Sequence, residues 1–353
     1  MMKPLVATLL GVAVCVCSAA AQDVHFTQFY ASPLLLNPAL TGGFDGQLRA
    51  SMIYRDQWRG TLDNPFVTTT AALDFRFPLK TGGRNSGDAA SAGIVFMNDR
   101  VKVYDFTHNQ IMASGAYHKM LDKATNQILS VGGQVGIGQR NVNYANLAFQ
   151  DEFQIQPSGT SGYFGETRES LPTNNITFFD FSAGVNYSYA PRGRTGVYAG
   201  AAVHHINQPD ISWYSRDDEE LEPEALDTKY SAHVASVVPL NSTMSLQPRV
   251  LAQLQGESVQ AVLGTNLRIQ FDDFSSTAIH VGSWVRGVRN VEGFGADAVV
   301  GLVGFEYNNF LLGTSYDVGV SDFTAGSRGR GALEISLAYL GNYENDSLLC
   351  PQF

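Results

Sequence analysis

The sequence predicts a single transmembrane antiparallel β-barrel of about fourteen strands with a plug-like N-terminal segment. Three observations carry this prediction. From Gln47 to Tyr339, apolar and polar residues alternate in stretches of about ten. Beyond the first twenty residues, no apolar run is long enough for a helix to cross a bilayer. The connections between the alternating stretches are by turns short and long, as in bacterial outer-membrane barrels. The last stretch shows the pattern well: Leu333, Ile335, Leu337 and Tyr339 share one face, and Glu334, Ser336 and Ala338 the other.

Residues 1–21 read as an export signal. Lys3 supplies the positive charge, Leu5 to Cys17 the apolar core, and Ser18-Ala19-Ala20-Ala21 a small-residue cleavage site before Gln22. Cys15 and Cys17 each follow a valine, which does not suit lipid attachment. Cleavage would leave Cys350 as the one cysteine, so no disulfide can form within the chain. The formal charge of −10 would become −11 with the loss of Lys3. That acidic balance argues against nucleic acid as a partner. Arginine outnumbers lysine, as suits charges held in fixed pairs. No linker or repeat divides the 353 residues, and the 35 glycines cluster inside strand-like stretches, as in Gly132-Gly133 and Gly136-x-Gly138. Glycine there permits bends and close backbone approach.

The expected strands, in order, are 47–58, 66–77, 89–98, 103–119, 127–140, 177–190, 195–206, 229–239, 243–255, 259–271, 277–287, 296–307, 310–320 and 332–341. An even count returns both ends of the barrel to the periplasmic side. The even-numbered connections then face the periplasm, and several are tight turns: Pro191-Arg192-Gly193-Arg194, Asn241-Ser242 and Asn308-Asn309. The odd-numbered ones include the longest, Asn141 to Ile176, Asn207 to Thr228 and Ser321 to Gly331; Gly256-Glu257-Ser258 is a short exception.

In the first strand Leu48, Ala50, Met52 and Tyr54 are expected to face lipid, and Arg49, Ser51 and Arg55 the lumen. A charge on the lipid face at midplane costs about 2–4 kcal/mol, which sends the arginines inward. Closure brings the last strand against the first, so Glu334 should come within reach of Arg49 or Arg55. Opposed lumenal charges of this kind suggest a filled interior more than a wide pore.

Catalytic and metal chemistry find no motif. His204 and His205 are adjacent and should fall on opposite strand faces, and His25, His108, His118, His233 and His280 are scattered without ligand spacing. The run Asp217-Asp218-Glu219-Glu220 lies in an expected outer loop and lacks the alternating carboxylates of a calcium loop. No nucleophile elbow, phosphate-binding loop or His-Glu-x-x-His is present, so neither enzyme nor cofactor is expected.

Asp23 to Gly43 is neither strand nor spacer. It carries Phe26, Phe29, Tyr30 and Leu34-Leu35-Leu36, which need burial, while Pro33 and Pro38 interrupt any long helix or strand. Two readings stand: a plug tucked into the periplasmic mouth of the barrel, and a docking surface for a periplasmic partner.

Several motifs occur in order: Gln28-Phe29-Tyr30, Leu36-Asn37-Pro38-Ala39-Leu40-Thr41-Gly42, Tyr54-Arg55-Asp56-Gln57-Trp58, Phe181-Ser182-Ala183-Gly184-Val185, His205-x-x-Gln208-Pro209 and Leu312-Gly313-Thr314-Ser315-Tyr316-Asp317. Together they resemble the PorP/SprF family of type IX secretion outer-membrane proteins. Gly329 to Ser336 and the tail Cys350-Pro351-Gln352-Phe353 complete the set. The family tail usually carries arginine where Gln352 stands, which puts a role for a tail charge in doubt.

The resemblance implies a non-enzymatic component of the secretion and gliding machinery of Bacteroidota, seated in the outer membrane. It implies periplasmic ring and peptidoglycan-associated partners, and a cargo such as a large adhesin recognised through its C-terminal domain. The expected partner-binding residues are Asn37, Pro38, Arg55, Asp56, Gln57, Trp58, Cys350 and Phe353. The expected divisions are the signal at 1–21, a periplasmic or plug segment at 22–45, the barrel at 46–341 and a periplasmic tail at 342–353. The rival class is a porin or hydrophobic-substrate transporter.

Overall fold

The computed structural model describes residues 23–59, 65–81, 84–102, 105–147, 149–155, 161–163, 167–213, 224–271, 276–290, 293–320 and 331–341. The expected signal, the acidic run at 217–220 and the tail with Cys350 and Phe353 lie outside them.

The fourteen barrel strands follow the alternating stretches closely. They are β1 (Leu48–Gln57), β2 (Phe66–Thr81), β3 (Arg84–Val101), β4 (Phe106–Asp122), β5 (Gln127–Val142), β8 (Asn175–Tyr189), β9 (Gly196–His204), β10 (Lys229–Pro239), β11 (Met244–Gln255), β12 (Ser258–Gln270), β13 (Thr277–Asn290), β14 (Gly293–Tyr307), β15 (Phe310–Gly319) and β16 (Gly331–Gly341). Each pairs antiparallel with its neighbours, and β1 pairs with β16 to close the cylinder. Closure leaves no open edge in lipid, the condition for a sheet to span a membrane. The two remaining strands, β6 (Phe153–Ile155) and β7 (Ser161–Tyr163), form a separate hairpin in the connection from β5 to β8, which the alternation did not foretell. Among the described residues no helix is long and apolar enough to cross a membrane.

The two faces sort as the period of two requires. On β5, Val131, Val135 and Ile137 stand outward and exposed, whereas Ser130, Gln134 and Arg140 are buried inward. On β1, Met52 is outward, and Arg49, Ser51, Ile53 and Arg55 are buried inward. An outward band of Phe, Val, Leu and Ile matches a hydrocarbon solvent, not water. The longest connections, 143–174, 205–228 and 320–330, all leave from one end of the cylinder, called here the loop end; β1 begins at the opposite, turn end.

Residues 23–46 lie inside. They fold as a 3-10 turn (Phe29–Ala31), one α-helical turn (Pro33–Leu36) and a second 3-10 turn (Pro38–Leu40). Proline suits the start of each of the last two turns, since its missing N–H would have no partner there. Leu34, Leu36, Ala39 and Phe44 are buried against the inner wall. The segment does not stop at one mouth. Asp23 sits beside His205 and Lys229 at the loop end, and Gly42 reaches Asp74 and Arg76 low on β2, before the chain enters β1 at the turn end.

Candidate functional site in the barrel lumen

Asn37 and Pro38 occupy the middle of the lumen. The Asn37 side chain caps its own turn, Oδ1 accepting from the Ala39 N–H at 2.9 Å. Its Nδ2 donates to two wall carbonyls, of Val185 at 2.9 Å and Ala201 at 3.3 Å. The wall gives way where this happens. A Cβ added to Gly184 would stand 2.1 Å from Asn37 Oδ1, and one added to Gly132 would stand 2.4 Å from the Pro38 carbonyl oxygen. Both distances are closer than any side chain tolerates, so at these two positions glycine is what lets segment and wall touch.

Three polar anchors hold the segment. At the seam, Arg55 on β1 faces Glu334 on β16 in register and forms an ion pair with it. Glu334 also accepts the backbone N–H groups of Thr27 at 2.8 Å and Gln28 at 2.9 Å. Asp317 on β15 accepts from Arg55 at 3.2 Å, from Arg286 at 2.6 Å and from the Thr27 hydroxyl at 2.9 Å. Arg286 donates through Nε to Asp297 at 2.8 Å. Asp297 is the extra residue where the β13–β14 register shifts, a bulge that presents its carboxylate to Arg286. The expected reach of Glu334 is therefore realised with Arg55 and not with Arg49.

Arg49 belongs to the second anchor, paired with Asp74 at 2.7 Å with both side chains fully buried. Asp74 accepts the Gly42 N–H at 2.6 Å, and Arg49 donates to the Leu40 carbonyl at 2.9 Å. The carbonyl of Thr41 accepts from Ser91 at 2.6 Å. Charges this deep persist because each is paired and hydrogen-bonded.

The third anchor is at the loop end. Asp23 meets His205 Nε2 at 2.7 Å and Lys229 at 3.2 Å, and His205 Nδ1 meets Asp180 at 3.0 Å. Burial disfavours the charged imidazole of His205, but the Asp23 charge and the hydrogen bonds to Asp180 and Asp23 outweigh it and raise its pKa to about 9. Burial likewise opposes ionisation of Asp23, yet Lys229 and His205 hold its carboxyl well below the usual range. The expectation that His204 and His205 point apart is not met. β9 ends at His204, His205 turns to φ +55°, and the two rings lie 6.4 Å apart beside one cavity. Among the described residues, no three His, Cys, Asp or Glu side chains are placed to hold a metal ion.

Between the first two anchors the contact is aromatic. Tyr30 stacks on Trp284 with centroids 5.6 Å apart, Phe29 meets the same indole edge-on at 5.8 Å, and Arg249 lies 4.1 Å over Tyr30. Asn266 accepts from the indole N–H at 2.9 Å and donates to the Tyr30 hydroxyl at 3.2 Å.

The sequence-predicted residues do not form one surface. Asn37 and Pro38 are enclosed at mid-lumen, and Arg55 is buried in the seam. Asp56 is also buried, its carboxylate accepting from the Tyr54 hydroxyl at 3.2 Å and pairing with Arg59. Gln57 accepts from Arg55 at 3.5 Å. Trp58 follows β1 at the loop end with φ +65°, its N–H donating to Gly331 at 2.8 Å and its ring edge-on to Phe66. Reasoning from sequence gave no role to Asp74, Trp284 or Arg286, whereas Gly132 and Gly184 stood in stretches it had singled out. For Asp74 and Arg286 the available signal was a charge in an otherwise apolar strand.

Comparison with known proteins places this geometry. A family model described as type IX secretion system membrane protein PorP/SprF matches residues 18–339. Among curated proteins no relative matches. Of solved structures, a deletion mutant of the TodX monoaromatic hydrocarbon channel is similar at 10% identity, over 89% of this chain and 94% of that one, with a TM-score of 0.51. The toluene transporter TbuX of Ralstonia pickettii is similar at 11% identity, over 88% and 94%, with a TM-score of 0.47. At such identities the likeness is one of fold alone.

Proposed function

Because the chain belongs to the PorP/SprF family of type IX secretion system membrane proteins, we propose that it is a non-enzymatic outer-membrane component of the secretion and gliding machinery. In this reading it supports secretion or surface attachment of cargo such as large adhesins. The single observation behind the reading is the family match over nearly the whole chain. The lumen is consistent with it: a segment anchored at three levels occupies the path that a conducting pore would need.

The turn end then faces the periplasm and the loop end the outside, as in bacterial barrels generally. Periplasmic ring and peptidoglycan-associated proteins would dock at the turn end. The cargo's C-terminal domain would meet the loop end, where Trp58 and the long connections lie. Cys350 and Phe353 remain candidates for periplasmic contact. The barrel supplies rigidity, holding loops and segment in fixed relation at a membrane face.

Deleting the gene while leaving the rest of the machinery intact should leave one class of cargo unsecreted or unattached. Normal surface display of every type IX cargo would overturn the proposal. The rival reading, a porin or hydrophobic-substrate transporter, requires a path past residues 23–46 and would show as steady conductance by the intact chain.

A further inference from the structure

At the loop end, between the threaded segment and the wall, lies a cavity of about 150 Å³. Its apolar side has Leu35 and Leu36 from the segment and Met97 and Met112 from the wall. On the same wall strands, nearer the loop end, runs a cross-strand row in which Asp99 on β3 lies beside His108 on β4, and His108 beside Arg140 on β5. Phe178 backs two members of this row: its ring is 5.9 Å from that of His108 and 5.7 Å from the Arg140 guanidinium.

The row is unusual in what it leaves open. The other anionic groups around the cavity are engaged: Asp23 and Asp180 share His205, Asp180 also accepts from Gln110 at 2.9 Å, and Asp99 accepts from Thr68 at 2.6 Å. Arg140 is 8% exposed, and its Nε has no hydrogen-bond acceptor among the described residues. The Nε2 of His108 is likewise enclosed and without a partner. A buried guanidinium with an unmet donor costs free energy unless something answers it, and its planar fork suits a carboxylate.

We propose that this cavity binds a small carboxylic acid with a compact apolar body, its carboxylate on Arg140 and His108 and its body between the leucines and methionines. The lining mixes apolar side chains with convergent polar and charged groups, so apolar atoms can enclose a ligand's body while the polar ones fix its orientation. A cavity of about this volume takes roughly one benzene ring, so benzoate is the matching probe. The inference concerns a ligand of the lumen and does not depend on the secretion role.

The experiment is calorimetric titration of the purified, refolded full chain in non-ionic detergent with benzoate, benzyl alcohol and benzylamine. Benzoate should bind saturably, at least tenfold more tightly than the alcohol, and the amine should not bind. Arg140→Gln should remove the preference for benzoate over the alcohol, with folding checked by heat-modifiable gel migration. Met112→Trp, which fills the apolar side, should weaken both ligands. Equal binding of benzoate and benzyl alcohol, or an undiminished preference in folded Arg140→Gln, would overturn the proposal. Should Arg140→Gln fail to fold, the comparison of the three probes on the unaltered chain decides alone.

Discussion

Glu334 on the last strand and Arg55 on the first stand opposite each other across the seam that closes the barrel, and the same carboxylate receives the backbone N–H groups of Thr27 and Gln28. One side chain therefore ties cylinder closure to plug position. The tie is enclosed, with Glu334 at 0% and Arg55 at 2% exposure, so neither water nor salt screens it much.

Breaking that tie should be costly. Removing one partner of a buried pair leaves an uncompensated charge, a loss of about 3–5 kcal/mol. Glu334→Ala is expected to lower the urea midpoint of the refolded barrel accordingly, and Arg55→Ala/Glu334→Ala should recover part of the loss. A double-mutant cycle in urea measures the coupling; a coupling near zero would mean that the seam pair contributes nothing.

The glycine contacts predict a separation of plug from barrel. Gly132→Val and Gly184→Ala each put carbon where Pro38 or Asn37 already stands. The wall is held by its own ladders and should still fold, while residues 33–42 should be expelled and become sensitive to protease. Heat-modifiable migration reports the barrel and mass-mapped limited proteolysis the segment. Unchanged protection in folded variants would show that the lumen has slack.

The loop-end anchor should respond to pH. His205 has a folded-state pKa raised to about 9, so its contribution is complete below the ordinary histidine value of about 6.5 and fades as pH rises from there through 9. Asp23 is shifted downward, so its contribution is present above the ordinary carboxylate value of about 3.9 and is lost as pH falls through its lower folded value. A spin label at a Val24→Cys position should be immobile near neutrality and gain mobility between about pH 6.5 and 9. In a His205→Gln background it should be mobile throughout; a label indifferent to His205 would remove the anchor from the account.

A lumen filled at three levels should not conduct. The intact chain in a planar bilayer is expected to be electrically silent, and a chain lacking residues 23–46 to show steady channels. Steady conductance by the intact protein, or flux of an apolar solute, would favour the transporter reading over the secretion role.

Much of this architecture was legible in the residue order. Strand boundaries in the structure fall close to the alternating stretches: β10, expected at 229–239, spans Lys229–Pro239, and β11, expected at 243–255, spans Met244–Gln255. The period of two is local and repeats in every strand, so it survives without knowledge of neighbours. Closure then forces the first strand against the last, which is why Glu334 could be matched in advance with an arginine of the first strand, Arg49 or Arg55. The choice between Arg49 and Arg55 could not be made, because it depends on register and on Asp74 in the next strand.

The threaded segment was legible in composition and not in course. Its aromatic and leucine residues announced burial, but their partners lie far along the chain; Thr27 and Glu334 are 307 positions apart. The two histidines at 204 and 205 misled for a related reason. Alternation holds only while the strand continues, and a left-handed residue at its end turned both rings to one cavity.

Hydropathy at a spacing of two residues, acting over ten-residue lengths, was enough to decide that this chain would be a membrane cylinder and which face of each strand would meet lipid. What occupies the bore, which arginine answers which carboxylate, and where a guanidinium is left facing a lumenal cavity were decided only when fourteen strands closed. Those contacts are set by shear and register around a ring, and such quantities exist in the assembled sheet and in no single segment.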